Sequence, residues 1–281
     1  MDDQLRDAEH CAHLAAERSG VRVTALAGVA AARAGAELLN RVWAAEEAEP
    51  VATTALLRAY EYSGNYVSGA FRGGRLVAAA VGFLGVSGFL HSDVVGVAPQ
   101  ERGTGVGFAL KLDQRAWALR HGLAEVRWTF DPLLRRNAHF NLRRLGARAV
   151  RYLPDFYGPM SDGLNAFEET DRLAVHWRLG TGRVRAAARR EPPAATAASL
   201  TEAAAGAAVV VADDGAVRVP PPHARARLVA VPADVEQLRG RDRRAAARWR
   251  LVVREALTGA AAEGFRIADF TPAGSYLLIR D

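Results

Sequence analysis

Short runs in which apolar residues alternate with polar ones are interleaved with stretches of helical period, so the chain predicts a mixture of strands and helices. Residues 1 to 19 predict a helix, 21 to 26 a strand, and 30 to 45 a helix through Ala34, Leu38, Leu39, Val42 and Trp43. A second helix over 51 to 62 ends near Gly64. Strands over 66 to 72 and 75 to 84 meet at Arg72-Gly73-Gly74-Arg75, whose glycine pair predicts a hairpin. After a turn at 85 to 88, a β-branched strand begins at Phe89 and is ended by Pro99. Gly103, Gly105 and Gly107 then lead into an amphipathic helix on which Val106, Ala109, Leu110, Ala116, Trp117 and Leu119 recur.

Beyond that helix, Val126, Trp128 and Phe130 alternate on a strand over 124 to 130, which Asp131-Pro132 breaks. Residues 135 to 145 predict a helix stopped by Gly146. Strands follow over 147 to 153 and 171 to 179, and the loop between them, 154 to 165, is long and carries Phe156 and Tyr157. Loops of this length inside a compact domain often line a binding site. From Gly180 the composition shifts to arginine, alanine and proline, with a hairpin turn at Asp213-Asp214-Gly215. A strand over 226 to 231 comes next. A long helix then runs to about Ala262, with Asp242 as its N-cap, and a terminal hairpin spans 265 to 280.

The strand, glycine loop and helix around residue 103 form the joint that most directly carries chemistry. Free amides at a helix N-terminus favour negative charge and can hold phosphate, and glycine lets a ligand approach the backbone. The P-loop pattern is absent, because no Lys-Ser or Lys-Thr follows the glycines. The dinucleotide pattern is absent too, since Phe108 stands where a third glycine belongs, although Glu125 lies near the offset of a ribose-binding acid. A plain glycine turn is the remaining alternative.

The stretch Val97-Ala98-Pro99-Gln100-Glu101-Arg102-Gly103-Thr104-Gly105-Val106-Gly107 resembles the signature V-x-P-x-x-R/Q-x-x-G-x-G/A of the GNAT superfamily of N-acetyltransferases. The resemblance covers about residues 20 to 180. It implies an α/β (α+β) GNAT fold: a central mixed, mostly antiparallel sheet flanked by helices, here with a small C-terminal α/β extension. It also implies that acetyl-CoA is the acyl donor. The amides of Gly103, Thr104, Gly105, Val106, Gly107 and Phe108, beside Arg102, would hold its pyrophosphate, and the backbone of Val95, Gly96 and Val97 would pair with the pantetheine arm. Four segments are expected: an N-terminal helix over 1 to 19, an acyl-CoA-binding domain over 20 to 180, a variable linker over 181 to 224, and the extension over 225 to 281.

A second family signature, N-x-x-A-x-x-L-Y-x-x-x-G-F, is met only in part. Aligned on Ala138 and Gly146, Leu142 replaces the tyrosine and Arg135 the asparagine, while Asn137 and Asn141 lie four apart on one helix face. Both asparagines are candidates for the cofactor side. The segment from Trp128 to Asn141 looks like a functionally uncharacterised GNAT subgroup that shares a Leu-His-Ser stretch and a C-terminal extension. Family chemistry is attack by an amine on the acetyl thioester, which needs a base whose pKa lies near the operating pH. His91 and Asp93, expected on one face of the strand before the loop, are the candidate bases, with a hydrogen-bonded structural histidine as the alternative. Tyr157 is the candidate acid, because the usual position is empty. Asp131 is an outsider whose first role is a turn.

Composition narrows the classes. Lysine and arginine number 37 against 31 acidic residues, giving a net charge of +6, and Lys111 is the only lysine. Arg135, Arg136, Arg143, Arg144, Arg148 and Arg151 could receive an acidic acceptor or the 3′-phosphate of coenzyme A, or simply face water. Arg241, Arg243, Arg244, Arg248 and Arg250 suggest nucleic-acid binding by charge alone; no aromatic recognition motif or zinc finger accompanies them, so no nucleic-acid partner is expected. Cys11 is the sole cysteine, which leaves no intramolecular disulfide, and no metal is expected although His10 and His13 lie three apart. The acidic start of the chain lacks a signal-peptide pattern and no stretch is long enough to span a membrane, so a cytoplasmic protein without a membrane partner is expected. The acceptor expected is an amine on a small molecule or protein, and a homodimer is conceivable through the extension.

Overall fold

The computed structural model describes residues 2–45, 49–158, 169–191 and 196–280. The chain divides into two compact units. The first runs to Trp128 and includes Arg178–Thr181; the second takes the described residues from Thr129 onward apart from those.

The first unit opens with α1 (Asp2–Arg18), β1 (Arg22–Ala25), α2 (Gly28–Trp43) and α3 (Thr54–Tyr62). Thr53 caps α3 by accepting from the Leu56 amide at 3.1 Å. Three strands follow, β2 (Tyr66–Arg72), β3 (Arg75–Gly85) and β4 (Phe89–Val97), each antiparallel to the one before. A 3-10 turn at Pro99–Glu101, α4 (Val106–Arg120) and β5 (Glu125–Phe130) complete the series. This is the β-α-α-β-β-β-loop-helix order that the sequence predicts.

The two faces of the sheet are covered differently. Leu26, Leu38, Leu39, Leu57, Val67 and Val81 form the core between the sheet and α2 and α3. Tyr66, the neighbour of Val67, points the other way, to donate to the Leu110 carbonyl and the Asp113 carboxylate on α4. The amphipathic expectation for α4 fails, because α4 is buried almost all round, Lys111, Gln114 and Arg115 included. The reason is α1, whose Asp7 pairs with Arg115 at 3.1 Å and which covers the side of α4 that would otherwise face water.

In the second unit, α5 (Arg135–Ala138) continues directly into a π-turn at His139–Arg144, closed by the Leu145 amide donating five residues back to Phe140. The single α-helix expected over 135 to 145 is thus widened halfway. β6 (Arg148–Leu153) and β7 (Arg172–Arg178) pair antiparallel. α6 (Gly182–Arg189), α7 (Thr196–Ala205), β8 (Ala208–Val211), β9 (Ala226–Ala230), α8 (Val235–Arg241), α9 (Arg243–Ala262), β10 (Arg266–Phe270) and β11 (Ser275–Ile279) follow.

In the first unit β1 to β5 lie side by side in chain order, antiparallel except for the parallel β4–β5 pair, and in the second unit β6 pairs with β7 while a four-stranded sheet has the order β10-β11-β9-β8. Three details of the extension depart from the sequence pattern. The linker contains α7. The turn at Gly215 forms, with Ala212 donating to Ala216 and Arg218 to Val210 on either side of a Val211–Val217 bridge, and β8 also pairs in parallel with β9. The long helix to Ala262 starts at its expected cap, Asp242, but is preceded by a further short helix, α8, capped by Asp234. The second unit also joins the described residues between Thr129 and Trp177 to the extension.

Candidate active site

The phosphate loop is built from its ends inward. Pro99 starts a 3-10 turn that brings Glu101 under the loop, where its buried carboxylate accepts from Arg72 Nε at 3.1 Å and from Arg75 at 3.2 Å. The two arginines of the β2–β3 hairpin therefore neutralise the one acidic side chain at the loop and fix where it turns. Gly103 and Gly105 take positive φ of 81° and 93°, a region other residues enter only with strain. The amides of Gly103, Gly105, Val106 and Gly107 have no acceptor among the described residues. Arg102, Gly103 and Thr104 are exposed and Thr104 Oγ1 is turned back to the Glu101 carbonyl, so that hydroxyl does not occupy the amides beside the helix N-terminus. The donor set fits a diphosphate: main-chain N–H groups, a helix dipole and no nearby uncompensated carboxylate.

β4 leads to this loop and changes twice on the way. Its parallel pairing with β5 holds at Leu90–Val126 and His91–Arg127. From Ser92 to Val97 it keeps antiparallel partners on β3 alone among the pairs to neighbouring strands. The edge through Val95, Gly96 and Val97 therefore has no ladder partner on the β5 side among the described residues. The register against β3 also slips between Val81–Val94 and Gly82–Ser92, which leaves Asp93 as a bulged residue. Bulges of this kind re-aim side chains beside active sites.

His91 stacks against Phe83, its register partner, with ring centroids 4.8 Å apart, and Tyr60 of α3 packs on the same Phe83. The ring nitrogens of His91 have no hydrogen-bond partner among the described residues. Burial pulls its pKa below the ordinary imidazole value; Asp93 opposes the shift and Lys111 adds to it. Asp93 is an exposed residue, yet partial burial of its carboxyl raises its pKa, with His91 opposing. Tyr60 is raised by burial and then by Asp93, which places Asp93 on the His91 side of the sheet.

Lys111, which the sequence pattern treats as a helix residue without a role, is buried on the opposite side of β4. Its Nζ donates to Gln114 Oε1 at 2.6 Å and to Ser92 Oγ at 3.1 Å, and lies 4.0 Å from the centroid of the Trp128 ring. Burial lowers its pKa to about 7. The signal was its place inside the apolar run Phe108-Ala109-Leu110-Lys111-Leu112, as the only lysine.

Within the second unit, Tyr157 is half exposed and its hydroxyl shares a hydrogen bond with Thr129 Oγ1 at 3.3 Å. Residues 159 to 165 of its loop lie outside the described residues. Asn137 lies in α5 and is half-buried, whereas Asn141 lies in the π-turn and is buried, so the widened turn removes the simple four-residue face. Leu142 is buried. Asp131 is held by Arg239, by Arg250 and by the Leu133 amide, an arrangement that leaves it no proton-transfer role. Several arginines of the basic stretch are paired: Arg135 to the Val231 carbonyl, Arg136 to Glu236 and Arg143 to Asp269. Among the described residues no group of three or more metal-ligating side chains occurs, and no helix is long and apolar enough to cross a membrane.

No family model matches the chain, and no curated protein matches it in sequence. Its similarity is to solved acetyltransferases. The ribosomal-protein-S18-alanine N-acetyltransferase of Escherichia coli is 12% identical, with 58% of this chain and 96% of that one covered and a TM-score of 0.46. A GNAT-family acetyltransferase of Streptococcus pneumoniae is 13% identical over 56% of this chain and 97% of its own, at a TM-score of 0.45. A Salmonella typhimurium protein solved with its cofactor acetyl-CoA is 19% identical over 57% and 94%, at 0.47. At such scores these likenesses assign no activity, and what the site does follows from this chain's own loop, fork and bulge.

Proposed function

We propose that this protein is an acetyl-CoA-dependent acyltransferase of the GNAT type, which acetylates an amine on a small molecule or protein in the cytoplasm. One juxtaposition carries the reading: a strand whose edge is released after His91 runs directly into a loop with four unclaimed amides. The amides of Gly103, Gly105, Val106 and Gly107 hold the diphosphate, and the edge of Val95 to Val97 aligns the pantetheine arm. Acetyl-CoA supplies the activated carbonyl. The amine nitrogen bonds to that carbonyl carbon as the carbon–sulfur bond breaks. His91, whose pKa burial lowers, takes one proton from the acceptor's ammonium so that the neutral amine can attack, and the bulge at Asp93 orients backbone toward the carbonyl oxygen. Tyr157 is the proposed proton donor to the departing thiolate, and the second proton that the nitrogen sheds on becoming an amide replaces the one it gives.

Leu142 favours a second reading, a non-catalytic acyl-CoA-binding module. It is apolar and buried where the resemblance places a tyrosine. Thiol release with a panel of amines separates the two. Acceptor-dependent release of free coenzyme A supports the enzyme, and tight binding without release supports the module.

A further inference from the structure

The ladder between β4 and β5 stops at His91–Arg127. Its next rung would join Ser92 to Trp128, and these are the two residues that the Lys111 amine touches, at 3.1 Å and at 4.0 Å from the ring centroid. Gln114, one turn along α4, accepts from the same amine at 2.6 Å. The Gln114 amide nitrogen is itself buried without a partner, so the carbonyl is oriented by the lysine. A buried amine is costly unless specific contacts compensate, and an apolar side chain of similar length would fill the space more cheaply. The amine sits at the one point where the β4–β5 ladder stops.

We propose that Lys111 is a positioning residue that holds the β4–β5 fork open: by engaging Ser92 on one strand and the Trp128 ring on the other, it keeps the edge of residues 92 to 97 available to the pantetheine arm. This rests on the acyl-CoA reading of the loop. With the amine removed, nothing engages Ser92 from below, and the ladder can close by further rungs over the edge that the ligand needs. The contacts of the lysine amine to Ser92, Gln114 and Trp128 do not include the loop amides.

The experiment compares two ligands on the full-length protein by calorimetry: 3′,5′-ADP, which needs the loop alone, and coenzyme A, which needs loop and fork. In Lys111→Met, 3′,5′-ADP affinity stays within about twofold of wild type and coenzyme A affinity falls about tenfold or more. Ser92→Ala repeats the split without touching the lysine, and Lys111→Arg recovers part of the coenzyme A affinity. Equal loss of both ligands in Lys111→Met, or full retention of both, overturns the proposal. A wild-type protein that binds neither ligand overturns the acyl-CoA reading itself and the proposal with it, an outcome visible before any variant is made.

Discussion

Arg72 reaches from the β2–β3 hairpin to the buried carboxylate of Glu101, Nε to Oε2 at 3.1 Å, and so fastens the base of the glycine loop to the sheet. The contact explains how a loop of three glycines keeps one shape. Charge-assisted hydrogen bonds to a buried carboxylate contribute more than neutral ones. Glu101→Ala is expected to lower stability by about 1–3 kcal/mol and to weaken coenzyme A binding about tenfold, because the amides lose their common orientation. Chemical denaturation and calorimetry on the same variant check both numbers.

His91 is expected to act in proton transfer and not in donor binding. His91→Ala should reduce kcat by about 100-fold or more and leave coenzyme A affinity unchanged. Since burial lowers its pKa, the wild-type rate should fall on acidification with a midpoint below about 6.5, where the ring gains the proton that blocks it. The variant should lack that limb. A pH–rate profile of kcat/KM with saturating acyl donor reads it directly.

Lys111 imposes a pH dependence on stability whose sign is fixed by its shift. Its folded pKa, about 7, lies below the unfolded value near ~10.4. Between those values the unfolded chain holds a proton that the folded chain does not. The unfolding free energy therefore rises with pH across that window, by up to about 1.4 kcal/mol per pH unit. Denaturation at pH 7.5 and 9 should show wild type gaining stability relative to Lys111→Met as pH rises. A constant difference would mean the amine does not lose its proton there.

Asp131 predicts a purely structural loss. It accepts from Arg239 at 2.6 Å and from Arg250 at 3.1 Å, all three side chains buried. Burial alone would raise its pKa, but Arg250 and Arg239 reverse that and hold it below the ordinary carboxylate value. Its contribution is present above the unfolded pKa near ~3.9 and is lost as pH falls through the lower folded value. Asp131→Asn should cost about 3–5 kcal/mol. The surviving folded fraction should turn over at the wild-type rate, which a general base at this position would not permit.

The loop was legible in the sequence because its chemistry is local: Pro99 ends a strand, and glycines at 103 and 105 serve positive φ within a few residues of one another. Strands and helices up to β5 were legible for the same reason. The bulge was not, since it exists only in the register of Asp93 against β3, a pairing that β4 alone does not encode. The burial of α4 depends on α1, about a hundred residues earlier in the chain. Arg250 reads as one of a run of helix arginines until folding brings it, with Arg239, to Asp131, and the short helix capped by Asp234 was not legible.

The central claim is that main-chain amides at the start of α4 bind the diphosphate of coenzyme A, and Gly107→Glu tests it most directly. Gly107 has ordinary backbone angles, and an added Cβ would meet only Val97 Cγ2 at 3.4 Å, so the variant should fold with an unchanged thermal midpoint. A carboxylate there also suits a helix N-terminus in the absence of ligand. Calorimetric titration with coenzyme A should show binding in wild type and a loss of at least about 100-fold, roughly 2.7 kcal/mol, in the variant. Undiminished affinity in folded Gly107→Glu would contradict the account.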